Sequence, residues 1–259
     1  MKRLDKKVAI VTGGSMGLGE ADTRAFIAEG AKVWITDINS EKGKSLANDL
    51  GENARFVKQD VRDEAGWQSL IAQVMEKDGQ LDILVNNAGT VEAGTIENHT
   101  IEDFKFVMAV SAEGTFLGCK HAIPALRASG TGSIINMASI ASLQGAPNVI
   151  GYSAAKGAIE AMTRSIAAYC IGKKYKIRCN SVHPSGIVTP MVMNMRDKIV
   201  NKKMEAQPTL LDGSTSKLGD PSDIANTVVF LASDESRFIN GTEIRVDNGI
   251  TAVSAVVPD

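Results

Sequence analysis

Tyr152 and Lys156, in the segment YSAAK (152–156), are the residues whose types and spacing most clearly suggest chemistry. Residues four apart lie on one face of a helix, so the pair would place a cation beside a phenol. Free tyrosine has a pKa of about 10 and becomes a useful base at neutral pH when a nearby positive charge favours the phenolate. The same spacing is common on exposed helix faces, so its meaning depends on the surrounding elements.

Short apolar segments alternate along the chain with longer segments of helical period. Continuous runs of Val, Ile and Leu between helices are typical of a parallel sheet covered on both faces, with right-handed crossovers. We therefore predict an α/β, doubly wound Rossmann-type fold with a seven-stranded parallel sheet and helices on both faces. The predicted strands are 8–12, 32–37, 54–60, 81–89, 132–139, 176–184 and 242–247. The predicted helices are 17–30, 41–50, 64–79, 101–129, 152–172 and 221–233.

A glycine-rich loop, TGGSMGLG (12–19), follows the first predicted strand and opens a helix, which is the context that a phosphate-binding loop requires. Gly13 and Gly14 permit a tight turn that side chains would forbid. Gly17 and Gly19 let the backbone approach a pyrophosphate at the positive end of the helix. The loop predicts a dinucleotide site.

Asp37 ends the second predicted strand. A carboxylate there can accept hydrogen bonds from the ribose diol of adenosine, and it would repel a 2′-phosphate. Met16, within the glycine loop, supplies no cation to bind that phosphate. Both observations favour NAD over NADP, although Asp37 is also compatible with a solvated strand end.

No linker or repeat divides the sequence, so we expect residues 1–259 to form a single NAD-binding domain. The segment 190–217 departs from the alternation of strands and helices, because it contains Pro190, Pro208 and several methionines where a short connection is expected. We interpret 190–217 as a substrate lid inserted over one edge of the sheet.

Composition excludes several other classes. The three cysteines, Cys119, Cys170 and Cys179, have no CxxC spacing or nearby histidines, which favours buried thiols in a reducing compartment over a metal site. A net charge of −2 with dispersed basic residues predicts no nucleic-acid partner. The amino-terminal segment 1–14 is typical neither of a signal peptide nor of a membrane span. We therefore expect a cytoplasmic protein without a metal or a membrane partner.

Taken together, these motifs resemble the short-chain dehydrogenase/reductase family, from about Lys7 to the last predicted strand. The glycine loop is similar to the family's TGxxxGxG, NNAG (86–89) to its fourth-strand signature, and Ser139 with YxxxK to its catalytic residues. The stretch 230–249 resembles its carboxyl-terminal segment. Within the family, four segments resemble bacterial 3β/17β-hydroxysteroid dehydrogenases. They are SIINMASI (133–140), GYSAAKGAI (151–159), IRCNSVHPSGIVTPM (177–191) and FLASDES (230–236).

The resemblance implies an NAD-dependent alcohol dehydrogenase and its site. Hydride transfer requires a group that removes the hydroxyl proton, which Tyr152 would do, with Lys156 lowering the tyrosine's pKa and contacting the nicotinamide ribose. The Ser139 hydroxyl would bind the substrate oxygen. The implied coenzyme-binding residues are Thr12, Gly13, Ser15, Met16, Gly17, Leu18, Gly19, Asp37, Ile38, Asp60, Val61, Asn87, Ala88, Gly89, Tyr152, Lys156, Pro184, Gly186, Ile187 and Thr189.

Two positions depart from the family pattern. The segment SAEGTF (111–116) begins with Ser111, where the family has an asparagine that helps hold a water linking the lysine to solvent. Serine is shorter and offers one hydroxyl in place of an amide, so we expect reduced but not abolished activity. Ser185 splits the family's proline-glycine pair and changes the wall of the nicotinamide or substrate site.

Substrate specificity is expected to come from the predicted lid and from the loop before Tyr152. Four methionines lie in the lid, and thioether side chains adapt to irregular apolar shapes, which favours a bulky apolar secondary alcohol such as a hydroxysteroid. The alternatives are a lid packed on its own core and a smaller cyclic or terpenoid alcohol. The predicted substrate residues are Gln144, Ile150, Ser185, Met191 and Met195.

Two functions of another class stay open at this point. A non-catalytic NAD(H)-binding regulator is favoured by Ser111 alone, and a scaffold subunit in a mixed oligomer is a further alternative. The family resemblance also implies a homotetramer, with the predicted helices 101–129 and 152–172 forming one interface and the last strand another.

Overall fold

Seven parallel strands form one sheet, as predicted. The computed structural model describes residues 2–201 and 218–252, and of residues 196–201 the backbone alone. The strands are β1 (Val8–Thr12), β2 (Lys32–Asp37), β3 (Ala54–Lys58), β4 (Ile83–Asn86), β5 (Gly132–Met137), β6 (Ile177–Pro184) and β7 (Glu243–Val246). Their order in the sheet is β3-β2-β1-β4-β5-β6-β7.

Helices connect the strands and cover both faces of the sheet. They are α1 (Gly17–Ala28), α2 (Ser40–Leu50), α3 (Glu64–Asp78), α4 (Ile101–Met108), α5 (Gly114–Ala128), α6 (Ile150–Gly172), α7 (Pro190–Asn201) and α8 (Pro221–Ala232). The α/β, doubly wound Rossmann-type architecture is confirmed. No helix in the described ranges is long and apolar enough to span a membrane.

Two apolar cores explain why the central strands are hydrophobic on both faces. One core, around Phe26, Ile35 and Val228, joins α1 and α8 to the sheet. The other, around Trp67 and Leu126, packs α3, α5 and α6 against the opposite face. Burial of both faces requires the continuous apolar runs from which the parallel sheet was predicted.

The strand order determines where in the fold the site lies. β1 lies between β2 and β4, so the connections after β1 and β4 leave the sheet toward opposite faces. Such a switch point opens a crevice at the carboxyl ends of the strands, where ligands bind in open α/β sheets.

Two predicted elements differ from the observed ones. The predicted helix 101–129 is interrupted by a π-helical turn, Ala109–Glu113, which separates α4 from α5. The predicted strand 81–89 is shorter, because Asn87 and Ala88 turn away and donate their backbone N–H groups to Thr12 Oγ1. Of the predicted lid 190–217, the structure describes α7, and residues 202–217 lie outside the described residues.

Candidate active site

A cavity of about 440 Å³ lies at the carboxyl ends of the strands and brings most of the predicted site residues together. From the coenzyme set it is lined by Gly13, Met16, Gly17, Leu18, Asp37, Ile38, Asp60, Val61, Asn87, Ala88, Gly89, Tyr152, Lys156, Pro184, Ile187 and Thr189. From the catalytic and substrate sets it is lined by Ser139, Ser185 and Met191.

The glycine loop is shaped by backbone conformations that side chains would prevent. Gly13 and Gly17 both have φ of +59°, in the left-handed region. A Cβ on Gly19 would lie 2.2 Å from the carbonyl oxygen of Gly13, so the start of α1 packs directly on the loop. The resulting concave backbone at a helix N-terminus is suited to a phosphate group.

The neighbouring strand end is fastened to this loop by Thr12 and Asn87. Thr12 Oγ1 accepts hydrogen bonds from the backbone N–H groups of Asn87 and Ala88, both at 3.0 Å. The Asn87 amide nitrogen donates to the carbonyl oxygens of Thr12 at 2.9 Å and Gly13 at 3.1 Å. The TG and NNAG motifs therefore form one rigid floor beneath the cavity.

The Asp37 carboxylate is oriented by three hydrogen bonds, one of them from the backbone N–H of Ser15 to Oδ2 at 3.3 Å. Ser15 Oγ donates to Oδ2 at 2.6 Å, and the backbone N–H of Asn39 donates to Oδ1 at 2.9 Å. The two bonds from Ser15 use both lone pairs of Oδ2, whereas Oδ1 keeps one for a further donor. Ile38, next in the chain, exposes an apolar side chain beside the carboxylate.

Charges elsewhere in the cavity are mostly paired. Among its described lining residues, the cations are Arg62 and Lys156. The Arg62 guanidinium is bound by Asp60, with 2.5 Å between Nη2 and Oδ2, and stacks over the Phe106 ring at 5.6 Å. The guanidinium is therefore engaged by Asp60 in the structure, in an ion pair whose side chains are 46% and 36% exposed.

Tyr152 and Lys156 lie together on the amino-terminal half of α6, as the four-residue spacing predicts. Lys156 Nζ is 5.4 Å from the centre of the Tyr152 ring and donates to the Met137 carbonyl oxygen at 2.6 Å. Burial lowers the pKa of the lysine to about 8.

The expected lowering of the Tyr152 pKa by Lys156 is not found. Burial raises the pKa of the phenol, and a hydrogen bond to the Ser139 side chain opposes this shift without overcoming it. The Lys156 ammonium is directed at the Met137 carbonyl, while desolvation penalises the charged phenolate. The phenol is therefore protonated at neutral pH.

Ser111 lies in the π-helical turn and is fully buried. A Cβ built on Gly89 would be 3.5 Å from both Ser111 Oγ and Lys156 Nζ, so the two side chains face the same short stretch of backbone. Ser111 Oγ accepts from Thr90 N at 3.4 Å, and its carbonyl accepts from Thr115 Oγ1 at 2.8 Å. π-turns of this kind occur frequently at functional sites.

Comparison with known proteins identifies relatives of this chain. A family model described as enoyl-(acyl carrier protein) reductase matches residues 13–251. A 3-beta-hydroxysteroid dehydrogenase of Comamonas testosteroni is 43% identical over 251 residues, covering 96% of this chain and 97% of the relative. The chain belongs to the short-chain dehydrogenase/reductase family.

Other members of the family are similar along almost their whole length. An NADP-dependent (R)-specific alcohol dehydrogenase of Lentilactobacillus kefiri is 41% identical over 253 residues, covering 96% of this chain and 98% of the relative. A cyclopentanol dehydrogenase of a Comamonas species is 34% identical over 255 residues, covering 97% and 100%. This chain is thus an oxidoreductase of a family whose members bind a nicotinamide dinucleotide.

The residues present fit that group. The glycine cradle, in which a Cβ on Gly19 would meet the Gly13 carbonyl, suits a pyrophosphate. Asp37, held by Ser15 and Asn39, offers an acceptor for a ribose diol. Of the family-derived coenzyme residues, four lie outside the cavity lining: Thr12, Ser15, Gly19 and Gly186.

The predicted substrate residues divide into two groups. Ser185 and Met191 line the cavity. Met195 lies behind it, packed with Tyr152 against a small apolar cluster that includes Val149. Half-buried Gln144 follows the 3₁₀ turn, Ile140–Ser142, and Ile150 begins α6; both lie outside the cavity lining.

Sequence reasoning missed several lining residues. They are Asn39, Gln59, Arg62, Thr90, Phe106, Val110, Met137, Ala138, Pro190 and Val192. Many of these directly follow or end a strand, and the rule that parallel strands present their carboxyl ends to ligands could have found them. Phe106 and Val110 belong to helical segments whose apolar pattern carries no such signal.

A separate cluster of polar residues lies outside the cavity lining. Ligand atoms of Glu160, His183 and Glu243 are within 4.8 Å of one another, the one group of metal-binding residue types this close in the described part of the chain. Both carboxylates are already paired: Arg164 is 2.6 Å from Glu160, and Arg245 is 2.7 Å from Glu243. We therefore assign no metal to it.

Proposed function

We propose that the protein is an NAD-dependent oxidoreductase that interconverts a secondary alcohol and a ketone. The observation that carries this proposal is the presence of Asp37, Ser139, Tyr152 and Lys156 in one cavity. The oriented Asp37 carboxylate accepts a hydrogen bond from a ribose diol and repels a 2′-phosphate, and Arg62 is engaged by Asp60. These features support NAD in preference to NADP.

The chain's own residues account for the proton transfer. A bound nicotinamide coenzyme would accept or supply the hydride. Tyr152 takes the hydroxyl proton of the alcohol, or returns it to the ketone oxygen. Ser139 donates a hydrogen bond to the same oxygen, and the Lys156 charge, which does not offset the burial of the phenol at rest, attracts the phenolate once it forms. The glycine loop and Thr189 orient the coenzyme.

The walls of the cavity favour a bulky apolar substrate. Met191 and Val192 line it, Met195 packs beside Tyr152, and the similar 3-beta-hydroxysteroid dehydrogenase supports a hydroxysteroid. A smaller cyclic alcohol is the second candidate, because a cyclopentanol dehydrogenase is also a relative.

A turnover screen tests substrate and coenzyme together. Purified protein is assayed with NAD and with NADP against steroid, terpenoid, cyclic and polyol alcohols. We expect the highest kcat/KM with NAD and an apolar secondary alcohol of steroid size. Efficient use of NADP would refute the role of Asp37, and exclusive turnover of small rings would favour the second candidate.

Tyr152→Phe separates an enzyme from a coenzyme-binding regulator. The variant is expected to bind NADH like the wild type and to lose turnover by about 10²- to 10⁴-fold, because it lacks the proton-transfer group. Tyr169→Phe, an exposed position on the same helix, is the matched control. NADH binding without turnover of any alcohol by the wild type would support the regulator instead.

We also propose a homotetramer in the cytoplasm. The described cysteines are buried free thiols, which suits a reducing compartment. The outer face of α5 and α6 exposes Phe116 and Tyr169 beside an apolar groove, and Phe238 is fully exposed near β7. Exposed aromatic side chains of this kind support two interfaces between copies of the chain.

A further inference from the structure

The carbonyl oxygen of Ser139 receives three hydrogen bonds. Ser142 donates to it from its backbone N–H at 3.0 Å and from its hydroxyl at 2.7 Å. The third donor is Nδ1 of His183, at 3.2 Å. His183 lies on β6 and is fully buried, so its imidazole joins the sheet to the 3₁₀ turn that follows Ser139.

The carbonyl determines which imidazole nitrogen carries the proton. A carbonyl oxygen can only accept, so Nδ1 must hold a hydrogen to bind it. Nε2 is then free to accept, and Ser181 Oγ lies 2.8 Å away to donate to it. With Nδ1 protonated, Ser142 Oγ, 3.1 Å from Nδ1, presents a lone pair there, and its own hydrogen is shared between the Ser139 carbonyl and the Glu160 carboxylate.

The surroundings keep the ring neutral. Burial lowers the pKa of His183; the Ser139 carbonyl, Glu160 on α6 and Glu243 on β7 oppose this shift, while Lys156 adds to it. Both glutamates are neutralised in part by Arg164 and Arg245. The imidazole is therefore a fixed hydrogen-bond donor at neutral pH.

Ser139 needs such support because it lies beyond the end of β5. The preceding residue, Ala138, is tied to the same neighbouring strand, since its N–H donates to the Val182 carbonyl at 2.8 Å. Adjacent residues of β6 thus hold adjacent peptide groups of the segment that carries the Ser139 hydroxyl. A small rotation of this peptide would move that hydroxyl relative to Tyr152.

We propose that His183 is a positioning residue: its Nδ1–H holds the Ser139 carbonyl and thereby sets the Ser139 hydroxyl for the substrate oxygen. This proposal rests on the proposed function, because the hydroxyl matters for turnover of an alcohol. Loss of the donor would then lower kcat and leave coenzyme binding unchanged, since His183 is absent from the described lining of the cavity.

Three substitutions isolate the Nδ1 donor. His183→Asn keeps an N–H group near the position of Nδ1, His183→Gln moves it toward the position of Nε2, and His183→Leu removes it. We expect kcat to fall about 10- to 100-fold in the Leu and Gln variants, as for other small misplacements of a catalytic group. The Asn variant should retain most of the wild-type kcat, and all three should bind NADH normally.

His121→Asn is the matched control, because His121 pairs with Glu64 on the surface of α5. Equal kcat in the wild type and the Leu and Gln variants, or an equal loss in the Asn variant, would overturn the proposal. If the Leu variant does not fold, the comparison of Asn with Gln is sufficient, because both are polar amides.

A second measurement does not depend on turnover. Long-range ¹H–¹⁵N spectra show which nitrogen of each of the three histidines carries the proton, and His183→Asn assigns the signal. The Nδ1–H form is expected, and an Nε2–H form would overturn the proposal whatever the activity. Wild-type protein that turns over no alcohol would instead contradict the proposed function.

Discussion

At the scale of single residues, burial has the largest effect on the proposed chemistry. The sequence predicts a tyrosine activated by a lysine, whereas burial raises the pKa of Tyr152 and lowers that of Lys156 to about 8. Desolvation disfavours the charged form of each residue, so it raises the pKa of the phenol and lowers the pKa of the ammonium. At neutral pH the resting pair is a neutral phenol, which can donate a proton, beside a lysine that is still mostly charged.

The two reaction directions should therefore respond differently to pH. Alcohol oxidation needs the phenolate, so kcat/KM for oxidation should rise by up to about tenfold per pH unit above pH 7. Lys156 loses its charge above its pKa of about 8, which removes the cation near the phenolate and flattens the rise. Ketone reduction needs the phenol and should stay level from pH 6 to 8. Initial rates in both directions check this, and a level profile for oxidation would contradict it.

Ser111→Asn tests the residue that replaces the family's asparagine. Ser111 Oγ and Lys156 Nζ face the same glycine, so a longer amide there could hold the water that links the lysine to solvent. We expect turnover to increase about three- to tenfold, a modest effect on proton transfer. The measurement is kcat across the pH range, with Ser111→Ala as the control for loss of the hydroxyl. Unchanged or lower turnover in the Asn variant would show that this position does not limit proton flow.

At the scale of elements, apolar runs and glycine signals were sufficient to predict all seven strands and the cofactor loop. The π-turn that carries Ser111 was not predictable, because residues 109–113 carry no local sequence signal for an extra residue in the helix. The sequence of the loop before α6 did not show which way the Gln144 side chain points. Ser139, Tyr152 and Lys156 line one cavity, as predicted. His183 was missed because its role depends on a contact with Ser139 that is distant in sequence.

Helix α1 contains a polar residue that the amphipathic pattern does not explain. Asp22 shares the buried face of α1 with Phe26, and neither carboxylate oxygen has a hydrogen-bond partner among the residues described. Burial raises its pKa to about 8. The folded protein therefore holds a proton that the unfolded chain releases near pH 4, and the free energy of unfolding falls as the pH rises from about 4 to 8.

Asp22→Asn should remove this dependence, because the amide has the same shape and no charge. We expect the variant's gain in the free energy of unfolding to be larger at pH 9 than at pH 5 by up to about 4 kcal/mol, on the order of 1.4 kcal/mol per pH unit. Urea unfolding at both pH values measures it. Glu41→Gln, at an exposed position of α2, is the control. The same gain at pH 5 and pH 9 would mean that Asp22 is not protonated in the folded state.

At the scale of the whole molecule, the exposed aromatic residues give a test of the proposed tetramer. A tetramer with two-fold symmetry needs two kinds of interface, each self-complementary. The α5 and α6 face presents Phe116, and the region before β7 presents Phe238. Burial of exposed apolar area stabilises an assembly by about 25 cal/mol per Å², so association should cover both side chains.

Phe116→Glu and Phe238→Glu should each disrupt one interface, because a charge that is buried without a partner opposes association. Light scattering after size exclusion should give about four times 27.4 kDa for the wild type, half of that mass for each single variant and the monomer mass for the double variant. Ile96→Glu, at an exposed position before α4 and outside the groove beside Phe116, should remain tetrameric. A monomeric wild type would refute the proposed tetramer, and a tetrameric double variant would show that its interfaces lie elsewhere. Because neither phenylalanine is among the described residues that line the cavity with Tyr152, NADH binding should persist in the dissociated forms.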